Sequence, residues 1–264
     1  MKYLELKKPK HNCKHLSRKE ASDSDFDTLI DEDTLIKVKG DLPMLYLKLK
    51  EPTQDLLRAF QGIGYNTNYR TSGLPSRSVI LGNRAAIKPR LPYCSVAEAA
   101  LQFPIEHETF MKWSIKTARV YQEYLSNAYK IHMALLKQKK SPVLNEYIMA
   151  GTPFTSGIAN KTMSLLYHVD NQNIPHTMSC MIGLKRDVSG GYLVLPEYRI
   201  AFAIANNTML FFNGASTLHG VTHIEKESEI GYRYTAVFYS MKEMANCLPQ
   251  KEEVEKFRSK YDIL

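Results

Sequence analysis

The 264-residue sequence predicts an α+β fold: a double-stranded β-helix (a jelly-roll or cupin-like core) with buttressing N-terminal helices. Three observations predict it. Between residues 106 and 139 apolar side chains recur at helical spacing, through Phe110, Trp113, Val120, Tyr121, Tyr124 and Leu125. Beyond residue 144 the pattern shortens to β runs at 164–168, 177–184, 192–195, 200–204, 209–212, 221–224 and 232–239. Turn signals (Ser189-Gly190-Gly191, Asn206-Asn207, Asn213-Gly214) punctuate these runs as they do in barrels and double-sheet rolls.

In chain order, residues 1–25 are polar and basic (Lys7, Lys8, Lys10, Lys14, Arg18, Lys19) and read as a mobile arm. Residues 26–264 then form a single domain: a helical and loop half to about 143, the β-roll from about 144 to 240, and a C-terminal tail. Alternating residues at 34–39 and 44–49 flank Gly40-Asp41, which suggests a β-hairpin. Residues 54–60 suit a short helix. The stretch 65–93, rich in Gly, Pro, Ser, Asn and Arg, reads as irregular loop. Ser95 suits the cap of a helix running through Glu98 and Leu101. Trp113 and the helical tyrosines read as core residues.

Composition is ordinary for a globular chain, with 44% hydrophobic and 23% charged residues. The formal charge of +8 suits a polyanionic partner, because Lys and Arg near phosphates release condensed counterions; it equally suits a plain solvated basic surface. Cys13, Cys94, Cys180 and Cys247 form no C-x-x-C pair, so neither a disulfide framework nor a zinc site is expected. No apolar run has membrane-spanning length and no signal-peptide core opens the chain. These features suggest a soluble protein of a reducing, intracellular compartment.

The chemistry centres on His168-Val169-Asp170, at the end of an apolar run. Residues two apart on a strand share a face, so the imidazole and the carboxylate converge. His219 follows the run 209–212 and its turn. One H-x-D pair with a distal His is the ligand set of the 2-His-1-carboxylate triad, which leaves metal positions open for co-substrate and oxygen. Among eight histidines a single H-x-D arises readily by chance, and a strand-end His bonded to a turn Asp is the bland alternative. Arg233, inside the apolar run 232–239, weighs against it. A guanidinium buried there would clamp the distal carboxylate of 2-oxoglutarate with paired hydrogen bonds. His107, His132 and His176 lack partners at ligand spacing, and His223, four residues beyond His219, shares no helical face with it in a strand-like context.

Several ordered motifs then coincide: Gly151-Thr152-Pro153-Phe154-Thr155-Ser156-Gly157, Tyr167-His168-Val169-Asp170, Gly190-Gly191-Tyr192-Leu193-Val194-Leu195-Pro196-Glu197-Tyr198, Leu218-His219-Gly220 and Gly231-Tyr232-Arg233-Tyr234. Across residues 65–239 the chain resembles the TET/JBP family of nucleic-acid base dioxygenases, particularly its small phage-like members. The resemblance implies Fe(II), 2-oxoglutarate and O₂, and hydroxylation of the 5-methyl group of 5-methylcytosine or thymine in DNA, with succinate and CO₂ as co-products. It implies His168, Asp170 and His219 as iron ligands and Arg233 as the 2-oxoglutarate residue. It also implies Asn173 as a contact to a flipped base and Tyr239 as the aromatic that stacks on it. Arg233 and Tyr239 are an even number of positions apart, so an unbroken strand turns both to one face. Arg70, Arg77, Arg84 and Arg90 are expected to hold phosphates. Met241 departs from the pattern, since 5-methylcytosine oxidases often carry His there, so thymine stands beside 5-methylcytosine. Two alternatives remain: a same-fold dioxygenase acting on a protein side chain or small molecule, and a metal-free DNA-binding module.

Overall fold

Alternation of apolar and polar residues, set against one helical layer, dictates how the chain folds. A computed structural model of the protein describes residues 1–7, 13–66, 77–87 and 91–260. Strands β1 (Lys2–Lys7), β2 (Thr28–Ile30), β3 (Thr34–Lys39) and β4 (Met44–Lys48) precede α1 (Gln54–Gly62). Next come β5 (Ser78–Arg84), β6 (Ser95–Val96), α2 (Ala99–Gln102), α3 (Pro104–Tyr124) and α4 (Ser126–Leu136). The later strands are β7 (Ser156–Lys161), β8 (Leu165–His168), β9 (Ser179–Arg186), β10 (Val188–Gly190), β11 (Leu193–Leu195) and β12 (Ile200–Phe202). They continue with β13 (Thr208–Phe212), β14 (His219–Val221), β15 (Ile224–Lys226) and β16 (Tyr232–Tyr239), before α5 (Gln250–Lys260).

Among the described residues the strands form a nine-stranded sheet, β1-β3-β4-β13-β9-β16-β7-β5-β6, a five-stranded sheet, β2-β12-β11-β14-β8, and the pair β10-β15. Period two sorts the large sheet's side chains. Leu45 and Leu47, Met209 and Phe211, and Tyr234, Ala236 and Phe238 pack toward Phe60, Phe110, Trp113 and Tyr121 of the helices. Their neighbours Met44 and Tyr46, Leu210 and Phe212, and Met181 meet Leu193, Leu195, Ile200, Phe202 and Val221 of the small sheet. Each large apolar side chain buried this way contributes roughly 1.5–3 kcal/mol. This is the double-stranded β-helix buttressed by helices, and Trp113 and Tyr121 are core residues, both 0% exposed.

Several expectations change. Residues 2–7, read as part of a mobile arm, pair in parallel with β3, because Leu4 and Leu6 alternate into the inter-sheet core. Residues Arg18 and Lys19 bond to both sides of Tyr167, on the strand that ends at His168. The stretch read as loop contains β5, whose Asn83 amide satisfies the Tyr147 and Thr155 carbonyls. Ser95 lies in a strand rather than at a helix cap, and α2 starts only at Ala99. The long helix breaks at Leu125, whose φ of −127° leaves the helical region. Cys94 and Cys247 form a disulfide, contrary to the reading of their spacing; 153 positions apart, they are joined by tertiary structure alone. Among the described residues no helix is long and apolar enough to cross a membrane.

Candidate active site

The two halves of the site come from neighbouring strands. His168 ends β8 and His219 begins β14, and the two are direct partners in the antiparallel register. Asp170 follows His168 by two positions, and its backbone N–H donates to the Gly214 carbonyl (2.9 Å). The Asp170 Oδ1 lies 3.5 Å from His168 Nε2 and 3.8 Å from His219 Nε2. All three ligand atoms lie within 4.8 Å of one another, close enough to hold one metal ion.

Local carbonyls fix the imidazoles. His168 Nδ1 donates to Leu166 O (2.8 Å) and His219 Nδ1 to Thr217 O (2.9 Å). With Nδ1 carrying the proton, each Nε2 presents its lone pair to the shared point, the arrangement metal-bound histidines use. Burial pushes His219 down to about 4, against the raising effect of the Asp170 charge, so the neutral form prevails at ordinary pH. Burial pushes the Asp170 carboxyl up, but His219 and His168 beside it outweigh this and hold it below its usual value.

The carboxylate has its own support. The Asn173 amide donates to Asp170 Oδ2 (3.3 Å) and to Ser179 Oγ (3.2 Å). A Cβ on Gly214 would sit 2.6 Å from Asp170 Oδ2 and 2.8 Å from Ser179 Oγ, so only glycine lets the turn approach this closely.

Arg233 is 2% exposed on β16, and its Nε and Nη2 have no hydrogen-bond partner among the described residues. Burial pushes its guanidinium down to about 10. Gly191, at φ +72°, packs on it so tightly that a Cβ there would lie 2.7 Å from Arg233 Cδ. Lys185, its register partner on β9, donates to the Gly190 carbonyl (2.8 Å), so a second cation flanks the guanidinium. A buried cation with unmet donors is costly unless an anion completes it. The site therefore fits a carboxylate ligand at Arg233, and two imidazoles with one carboxylate fit Fe(II).

One cavity of about 570 Å³ is lined by His168, Asp170, His219, Arg233, Asn173 and Tyr239 together. Burial, and then the Asp170 charge, raise the Tyr239 hydroxyl well above its usual value, so it stays neutral. Arg84 also lines the cavity, with Nη1 3.9 Å from Glu98 Oε2. Arg77 is exposed at the head of β5, away from the cavity lining. Arg70 and Arg90 lie outside the described residues.

Sequence reasoning missed Thr235, Asn160 and Gly214. Thr235 shares the parity of Arg233 and Tyr239, a signal already legible; Asn160 reaches the same cavity from β7 and donates to Thr235 Oγ1 (3.3 Å). Of the histidines without partners at ligand spacing, His132 bonds to Ser240 Oγ (2.9 Å), and His107 Nε2 accepts from the Gly82 N–H (3.0 Å).

No curated protein matches the chain in sequence. Among solved structures it is similar to NgTET1 in complex with 5mC DNA, at TM-score 0.59 and 14% identity, covering 88% of this chain and 90% of that one. It is similar more loosely to an oxidoreductase of the 2OG-Fe(II) oxygenase family from Burkholderia pseudomallei, at TM-score 0.46 and 11% identity, over 74% of this chain and 84% of that one. OsALKBH1 gives TM-score 0.43 and 14% identity, over 75% of this chain and 96% of that one. At these identities the likeness to NgTET1 speaks for the fold alone. The family model Tet_JBP, the oxygenase domain of the 2OGFeDO superfamily, matches residues 88–242. That is more than half of the chain, and the protein belongs to this family of Fe(II)- and 2-oxoglutarate-dependent dioxygenases.

Proposed function

We propose that the protein hydroxylates the 5-methyl group of a pyrimidine, 5-methylcytosine or thymine, in DNA, with His168, Asp170 and His219 holding Fe(II). One observation carries the reading: the three-ligand cluster, Arg233, whose Nε and Nη2 have no partner among the described residues, and the aromatic face of Tyr239 line a single cavity. Bound iron and 2-oxoglutarate supply the activation of O₂, with 2-oxoglutarate split to succinate and CO₂.

The chain's own groups do the rest. Arg233 receives the distal carboxylate of 2-oxoglutarate with the two donors it otherwise leaves unmet. Thr217 and Leu166 carbonyls keep the imidazoles in one tautomer. Asn173 and the Gly214 turn hold the carboxylate against rotation. Tyr239 offers the π-face that a base removed from the stack needs, since unstacking costs a few kcal/mol. Asn173 stands in the same wall, where its amide oxygen, outside the bonds to Asp170 and Ser179, can accept from a base edge. The formal charge of +8 suits a polyanionic substrate, and Arg84 at the cavity, with Arg77, Arg70 and Arg90, supplies cations for phosphates.

The test is incubation with Fe(II), 2-oxoglutarate and duplex DNA carrying thymine or 5-methylcytosine, followed by digestion and mass spectrometry of nucleosides. The expected product is a 5-hydroxymethyl pyrimidine formed in step with succinate. Succinate released with every base unchanged would point instead to a protein or small-molecule substrate. DNA retained in a gel shift with no turnover would point to a binding module.

A further inference from the structure

We propose that the Cys94–Cys247 disulfide is a redox-modification site through which a dithiol reductant loosens one wall of the active-site cavity. The inference rests on the proposed function only in taking that cavity as the place where substrate enters.

Both ends of the bond lie close in sequence to cavity-lining residues. Strand β5 ends at Arg84, and the chain returns at Ser95 through the pairs Asn83–Val96 and Arg84–Ser95. Within this excursion Ala85 and Ile87 line the cavity. On the other side Tyr239 and Met241 line it, and the short turn Lys242–Asn246 leads directly to Cys247. The disulfide thus bolts the excursion to the C-terminal segment.

Among the described residues the two partners are held differently. The C-terminal segment has its own anchors: Tyr147 OH donates to Leu248 O (2.9 Å), and the Gln250 N–H donates to Glu146 Oε1 (2.6 Å). Among the described residues of the excursion, 85–87 and 91–94, the hydrogen bonds are local: the Ile87–Leu91 bridge and an Ala86 N–H that donates to Cys94 Sγ (3.4 Å). Its described residues also place the Tyr93 ring against Phe257 (4.9 Å) and pack Ala85, Ala86 and Cys94 in or against the cluster that holds Met244. Cutting the bond should therefore loosen residues 85–87 and 91–94 more than the C-terminal segment.

Cys94 faces a second cavity of about 590 Å³, which shares Ile87, Gln172 and Met241 with the first. A reductant thiolate reaching it attacks Cys94 Sγ, the S–S bond breaks, and Cys247 leaves as a thiolate that takes up a proton. The reductant's second thiol then attacks the mixed disulfide, releasing Cys94 as a thiol and closing the reductant's own disulfide. Two electrons and two protons pass to the protein. Cys13 and Cys180 are poor competitors, because burial pushes both thiols up.

Hydrogen exchange by mass spectrometry on the full chain, air-oxidised or treated with dithiothreitol, tests this, alongside a thiol count under denaturing conditions. Two free thiols should become four on reduction. Exchange in peptides covering 84–87 and 91–97 should then speed up by about tenfold or more, while 232–239 changes little. Cys247→Ser should match the reduced chain with or without dithiothreitol, and Cys13→Ser should still respond. Four free thiols in the oxidised chain, or equal exchange of the 84–87 and 91–97 peptides in both redox states, would overturn the proposal. Neither readout needs turnover, so a chain that fails to oxidise DNA still reveals whether the switch exists.

Discussion

His168 and His219 face each other across the β8–β14 pair, with ring centroids 4.4 Å apart. Fifty-odd residues of chain separate them, yet the register leaves no freedom about their meeting. Asp170 joins them because its backbone is tied to the Gly214 turn that leads into β14. The site is therefore only as well placed as that turn and strand pair.

Gly214→Ala tests the turn. The added methyl would lie 2.6 Å from Asp170 Oδ2 and must displace the carboxylate or the Ser179 side chain. Fe(II) affinity, measured by anaerobic titration, should fall by roughly 10–100-fold, the usual cost of disturbing a ligand's support. An unchanged affinity would mean the close approach has no bearing on the metal.

Arg233→Met should have opposite effects on the free and the loaded protein. The guanidinium is buried with Nε and Nη2 unpartnered among the described residues, so an apolar replacement should stabilise the ligand-free chain, by roughly 1–4 kcal/mol. Wild type should gain about 2.7 kcal/mol from 2-oxoglutarate at a hundred times its Kd, and the variant much less at the same concentration. Denaturant melts with and without 2-oxoglutarate check both signs.

Tyr239→Ala removes the proposed stacking face while leaving the metal ligands in place. DNA oxidation at limiting substrate should drop by about 5–150-fold, corresponding to roughly 1–3 kcal/mol of stacking per base. Fe(II) and 2-oxoglutarate binding should stay near wild type. Loss of metal binding instead would make Tyr239 a structural residue.

His132 sets an acid limit on stability. Burial pushes it down to about 3, against an unfolded value near 6.5. Below pH about 6.5 the unfolded chain takes up a proton that the folded chain refuses, so stability falls with pH until about 3. This one group contributes up to about 1.4 kcal/mol per pH unit in that window. The midpoint of His132→Gln should fall less steeply between pH 6.5 and 4 than that of wild type, and identical slopes would contradict the assignment.

Much of this was legible in the residues. Alternation marked the hairpin β3–β4 and the run that became β16, and parity turned Arg233 and Tyr239 to one face. The H-x-D pair and the distal His were visible as residue types. Less was legible where strands lack strand composition. Strand β7, Ser156–Lys161, carries Gly and Asn because it packs tightly: a Cβ on Gly157 would meet Phe238 Cδ1 at 2.9 Å. Strand β5 hides among residues typical of loops, and its Asn83 is buried only because its amide satisfies two carbonyls. The Cys94–Cys247 pairing could not be read from spacing, since both cysteines lie in segments brought together only by the finished sheet.

The most direct measurement is an anaerobic titration of the protein with Fe(II) and 2-oxoglutarate, followed by visible charge-transfer absorption and by bound iron after gel filtration. Wild type should retain one iron per chain and develop the absorption band. His168→Ala should do neither, and Arg233→Met should keep iron but need far more 2-oxoglutarate. Equal iron retention by wild type and His168→Ala, or none by either, would contradict a metal centre built from His168, Asp170 and His219.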